Sequence, residues 1–179
     1  LRDRSSRLRT RARMASSNAE PVPTGLSVTS WPRSGAAAFV HKVALSRPSD
    51  SMRAVINCDM IMWDNNSNRV MQIHTTPNAG GAYSADLADY ITFVDTTYTT
   101  GVIPSVVNPG IGASDHSRFW SINRSAVLFI EEYGPDFNAY YHTANDSWAN
   151  LSAAKHQNFF HEAARLATFT ELGPLSDFM

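Results

Sequence analysis

Cysteine is nearly absent: Cys58 stands alone among 179 residues, which excludes an internal disulfide. Long apolar runs are missing too. None is long enough to span a bilayer, and the arginine-rich start has no apolar segment of the kind that makes a secretory signal. No internal repeat is visible. Net charge is small, at -1 with 17% charged residues, but the balance conceals an asymmetry. Residues 1–14 (LRDRSSRLRTRARM) carry six arginines against Asp3, leaving nine basic and fifteen acidic residues in the remainder. An acidic body without interleaved aromatic and basic residues offers no nucleic-acid surface. The expectation is a chain that engages neither nucleic acid nor membrane.

What the chain does have is apolar material, 43% of its residues, enough for the core of one domain. Residues 1–34 mix arginine, serine and proline with neither a helical nor a strand period, and are expected to be disordered or non-native. Order is expected over residues 35–179. GAAAFVHKVALS, from Gly35, reads as a helix with Phe39, Val43 and Leu45 on its apolar face. The run MRAVINCDMIMW (52–63) suits a strand buried on both faces. A turn at Asn65 and Asn66 follows, and RVMQIHTT is a second strand. After a Gly80-Gly81 break, residues 84–98 place Leu87, Ile91, Val94 and Tyr98 on one helical face. SAVLFIEE (125–132) is a third strand. Residues 152–170 close the chain as a helix, with Phe159, Ala163, Leu166 and Phe169 or Thr170 inward. Strands alternating with helices give an α/β architecture.

Several polar residues do not fit a bland core. Asp59 interrupts the most apolar stretch; a buried carboxylate there needs a cation, a set of donors, or a place at the strand's end. Strand ends are where open α/β sheets bind ligands. The segment NPGIGASDHS brings Asp115 and His116, which either open a helix running into SRFW or support a metal ligand from behind. In DFNAYYHTAND, His142 is either a surface residue or a metal ligand, with Thr143 and Asp146 holding the loop and Tyr141 offering a phenol beside it. Glu131 and Glu132 end the third strand; neighbours on a strand face opposite ways, so at best one faces a cleft. His41, His74, His156 and His161 read as structural or solvated, the last two being five apart and so off the spacing of a helical metal pair.

Taken together, VINCDMIMWD, NPGIGASDHSRFW, SAVLFIEE and DFNAYYHTANDSWANL resemble the carboxy-terminal half of the co-catalytic zinc aminopeptidases. That metallopeptidase family includes secreted bacterial leucyl aminopeptidases, and glutaminyl cyclases are among its relatives. The resemblance runs from Gly35 to Leu172. It implies a three-layer αβα domain with a mixed sheet, incomplete at its amino-terminal side. It also implies that Asp59 ligates one zinc and His142 a second, and that Tyr141 helps polarise the scissile carbonyl. Asp115, His116 and Asp146 match supporting positions. The implied substrates are amino termini of peptides or proteins, and the implied location is secreted or periplasmic.

The resemblance also exposes departures. The family's helix start, Gly-(Ser/Ala)-x-x-Phe, is present as Gly35-Ala36-Ala37-Ala38-Phe39, but the family's Glu-Glu pair falls on Thr29 and Ser30, and no His-x-Asp occurs in the chain. A general base and most of a ligand set are therefore missing. Catalytic zinc sites usually offer three protein ligands to each metal, and two adjacent dications without a bridging carboxylate repel. The expectation is a fragment of a zinc aminopeptidase domain, active in its intact form and inactive as given, with zinc bound weakly or not at all. A truncated or frame-shifted coding sequence would produce the abrupt onset at Gly35. The alternatives are a metal-free binding domain of the same descent and a single-zinc enzyme similar to glutaminyl cyclase.

Overall fold

The computed structural model describes residues 35–46, 52–76 and 83–172. Expectations for residues 1–34, for the Gly80-Gly81 break and for the side chains of Val43 and Leu45 lie outside them. The elements in chain order are α1 (Gly35–Ser46), β1 (Val55–Cys58), β2 (Val70–His74), α2 (Ser84–Tyr98), β3 (Ile103–Val107), α3 (His116–Trp120), β4 (Ala126–Glu131), α4 (Trp148–Leu151) and α5 (Ala154–Leu172). The strands form one mixed sheet in the order β1-β4-β2-β3. β1 runs parallel to β4, β4 antiparallel to β2, and β2 parallel to β3.

β4 is buried along its whole length, which is why its sequence is a continuous apolar run rather than an alternating one. Alternation still divides its side chains between two layers. Val127 and Phe129 enter a core with Met71 and Ile73 of β2, Leu87, Ile91 and Val94 of α2, and Phe159, Ala163 and Leu166 of α5. Ala126 enters a smaller cluster with Val40 of α1 and Phe119 of α3. Helices thus cover both faces, giving the three layers expected. Phe129 is fully enclosed, a burial that contributes about 1.5–3 kcal/mol.

The helix faces follow the sequence closely in α5, which buries His156, Phe159, Ala163, Leu166 and Thr170 at alternating three- and four-residue steps. Phe169 instead stacks on Tyr98 of α2 at 4.7 Å, and Tyr98 is 47% exposed rather than inward. Among the described side chains of α1, Val40 is buried, while Phe39 is 51% exposed with its ring 6.2 Å from that of Phe119. Of the described side chains, Val40 rather than Phe39 is thus the one that α1 turns inward.

Two strand expectations change. The run from Met52 to Trp63 is not one strand: β1 ends at Cys58, because Met60 takes a positive φ of 55° that breaks the pleat. The ladder still closes past that end, with Asp59 N–H on Phe129 O and Glu131 N–H on Met60 O. β3, with sequence IPSVV, was not foreseen; it pairs with β2 from Val70↔Ile103 to His74↔Val107. Pro104 is tolerated because β3 has a partner on one side only within the sheet.

Candidate functional site

β1 and β4 are parallel neighbours with Cys58 opposite Phe129, so the segments leaving their carboxyl ends start side by side. One begins with Asp59. The other, residues 132–147, carries His142. This is the end of an open sheet at which ligand sites form.

Asp59 is exposed, one residue past β1, so its carboxylate is not the buried charge that its apolar flanks suggest. Its Oδ2 accepts a hydrogen bond from Ser114 Oγ at 2.6 Å, and Ser114 Oγ accepts one from Asn57 Nδ2 at 2.8 Å. Asn57 and Asp59 are two residues apart on an extended chain and point the same way, which lets one hydroxyl serve both. Ser114 therefore does not cap the following helix; α3 starts at His116, and Asp115 just before it makes no side-chain capping bond. His116 is fully buried, sits edge-on to Trp120 at 4.4 Å, and directs Nε2 at Ile111 O, 2.8 Å away. Burial lowers its pKa, opposed by the Ile111 carbonyl and by the charges of Asp59 and Asp115. The structure thus gathers Asn57, Asp59, Ser114, Asp115 and His116 at one place.

The second group is built on Glu131, which is 1% exposed. Its Oε1 accepts the Asn138 N–H at 2.8 Å and its Oε2 the Trp63 N–H at 3.3 Å. Burial raises its pKa to about 8; those two bonds work against the shift, and Asp136 and Asp146 reinforce it. Asp136 accepts from Trp63 Nε1 at 3.1 Å and from Asn66 N–H at 2.9 Å. Asp146 accepts from Asn138 Nδ2 at 3.1 Å, and Asn138 Oδ1 takes the Tyr140 N–H at 2.8 Å. Thr143 Oγ1 donates to Tyr140 O at 2.7 Å. The polar residues around His142 are therefore the frame of its loop. His142 itself is exposed, in the left-handed region at φ 58°, and stacks on Tyr141 at 3.8 Å. Tyr141 is 42% exposed and edge-on to Phe137 at 5.0 Å. Glu132 faces away, its Oε2 accepting from Asn66 and Asn68 side chains.

Among the described residues, no three His, Cys, Asp or Glu side chains converge closely enough to hold a metal ion. Asp59 and His142 leave neighbouring strand ends, but each lacks the further donors that zinc requires. The described donors do not fit a zinc centre by themselves, so no hydrolytic step can be drawn through one.

The sequence matches Peptidase family M28 over residues 7–167. The chain belongs to peptidase family M28. In fold, this M28 chain is similar to the crystal structure of the Legionella pneumophila LapA aminopeptidase, with 25% identity, a TM-score of 0.58, and coverage of 76% of this chain and 34% of that one. A second LapA structure from the same organism matches in fold alone, at 24% identity and a TM-score of 0.58, covering 76% of this chain and 35% of that one. The M28 chain thus spans about a third of the length of these relatives. A search of curated proteins finds no match. No helix among the described residues is long and apolar enough to cross a membrane.

Sequence reading passed over several residues that shape this M28 site. Asn57 had a signal, since it is the second polar interruption of the same apolar run and sits two before Asp59. Trp63, Asp64 and Asp136 had none, because their partners are far away in the chain. His156 Nδ1 accepts the Asp64 N–H at 2.9 Å, its ring stacks on Trp63 at 4.7 Å, and burial, with Lys155 adding, lowers its pKa.

Proposed function

We propose that this chain supplies part of the catalytic domain of a zinc-dependent aminopeptidase that takes the amino termini of peptides. The observation that carries the reading is the Ser114–Asp59 bond of 2.6 Å, made across 55 residues at the end of β1 by the family's Ser-Asp-His segment. It leaves an exposed carboxylate oriented by a neutral hydroxyl, with no cationic partner among the described residues, the state in which a carboxylate can take a metal. On this reading Asp59 and His142 would each give one ligand to a two-zinc centre that the described residues do not complete, and the metals would supply an activated water and a polarised carbonyl. Tyr141, stacked on His142, orients the scissile carbonyl. Asp115, His116 and Asp146 hold the two loops. The described residues bring no general base and no third donor, so the chain by itself is expected to bind zinc weakly and to turn over no substrate.

The test is release of leucine from a leucyl peptide, with zinc present. It compares the chain alone with the chain extended by an amino-terminal segment of a family member that carries His-x-Asp and Glu-Glu. Turnover by the extended protein alone, abolished by Asp59→Ala and by His142→Ala, is the expected result. A folded, zinc-loaded extended protein that releases nothing ends the peptidase reading. Zinc binding that survives both substitutions removes the ligand assignment. A folded protein with no zinc affinity in either form points instead to a metal-free binding domain.

A further inference from the structure

We propose that His74 is a positioning residue for this site, acting together with His116 through the peptide groups of Ile111 to set the Ser114 hydroxyl on Asp59. The proposal rests on the reading of Asp59 as a site residue. Asn57 pairs with Leu128 on one side of β4 and His74 pairs with Leu128 on the other, so the three form one row across the sheet with side chains on a common face. The segment leading into α3 lies over this row. Gly110 N–H bonds Thr75 O at 2.7 Å, and Ile111 N–H bonds His74 Nδ1 at 3.1 Å. The Ile111 carbonyl meets His116 Nε2 at 2.8 Å. Three residues on, Ser114 reaches Asp59 and Asn57. Two imidazoles thus take both hydrogen-bonding groups of one backbone residue.

The chemistry of the clamp fixes both protonation patterns. His74 Nδ1 must be bare to accept an N–H, so its proton sits on Nε2, where Gln72 Oε1 accepts at 2.9 Å. His116 must carry its proton on Nε2 to meet a carbonyl. Both rings are enclosed, at 2% and 0% exposure, and burial together with the neighbouring His116 holds His74 neutral, with a pKa of about 4. The segment also fits flush against His74. A Cβ on Gly110 would lie 2.7 Å from His74 Cβ and 2.8 Å from Thr75 O. A histidine two residues from Gln72 on β2 thereby fixes the height of a segment whose next polar contact is the candidate ligand.

The test uses the full chain labelled with 15N, with neither metal nor substrate. A failure of the aminopeptidase reading, seen only in turnover and zinc binding, is therefore told apart from a failure of the clamp. In the wild type, scalar coupling across the N–H···N bond between Ile111 N and His74 Nδ1 is expected; its absence overturns the proposal, and this measurement needs no variant to fold. His74→Gln moves the amide to the Nε2 position and removes the acceptor. It should speed exchange of the Ile111 amide on the order of tenfold, the factor set by one ordinary hydrogen bond, and shift the side-chain amide signal of Asn57. His74→Asn places a carbonyl oxygen where Nδ1 stood and should restore both readings, and His116→Gln should likewise preserve them. An Asn57 signal unmoved by His74→Gln, or a His74→Asn chain that behaves like His74→Gln, overturns the positioning role.

Discussion

Glu131 faces two backbone N–H groups from separate segments, the approach to β2 and the loop of His142, which Asp136 also joins through Trp63 and Asn66. Glutamine in its place would turn one acceptor into a donor pointed at an N–H. We predict that Glu131→Gln costs about 1–3 kcal/mol, read as a lowered midpoint in urea. Because the folded pKa is raised from 4.5 to about 8, Glu131 contributes stability that is complete below pH 4.5 and is lost as pH rises through 8. The loss is about 1.4 kcal/mol for each pH unit within that window. Glu131→Gln removes that dependence, so its stability should stay flat where the wild type declines. A variant that keeps the wild-type decline would assign it to another group. At this scale the sequence showed which residues were chemically odd, Asp59, His116 and His142 among them, but not their partners. Glu131 was legible as half of a pair of which one member could turn inward; that it turned toward Trp63 and Asn138 was not.

Among the elements, the segment between β3 and α3 is the one whose path decides the site, and its glycines show how tightly it is held. A Cβ on Gly110 would meet the Thr75 backbone oxygen at 2.8 Å and nitrogen at 2.9 Å, atoms that cannot swing aside. Gly112 has only Ser117 Cβ, at an ordinary 3.5 Å. Gly110→Ala should therefore destabilise the chain by about 1–3 kcal/mol, while Gly112→Ala stays within about 0.5 kcal/mol. Thermal denaturation of the two variants side by side checks this, and equal midpoints would mean that the segment does not press on β2. The elements rich in apolar periodicity, α2, β4 and α5, were legible because burial and period agree there. β3 was not: IPSVV is short, carries a proline and a serine, and it is a strand only because β2 offers it an edge.

For the molecule as a whole, two buried groups pull stability in opposite directions with pH. His74, lowered from 6.5 to about 4, contributes stability that is present above pH 6.5 and lost as pH falls to 4, up to about 3 kcal/mol. Burial lowers His116 and His156 as well, which steepens the acid limb. Glu131 supplies the alkaline limb. Midpoints of thermal unfolding measured from pH 4 to 9 should therefore peak at about pH 6.5, where the unfolded histidines have lost their protons and the folded Glu131 still keeps its own. Midpoints that climb steadily through pH 8 would show that Glu131 is ionised in the folded chain.

Length, apolar content, the run that became β4, the helical faces of α2 and α5, and the four family-like segments were all set by the order of residues. Each depends on neighbours within a few positions or on chemical type. The tertiary structure alone decided that β1 stops at Cys58, that Asp59 meets solvent with Ser114 upon it, and that Glu131 and His74 are buried against distant backbone. Those outcomes depend on which strand lies beside which, and residues 37 to 68 apart carry no shared local pattern that would announce it.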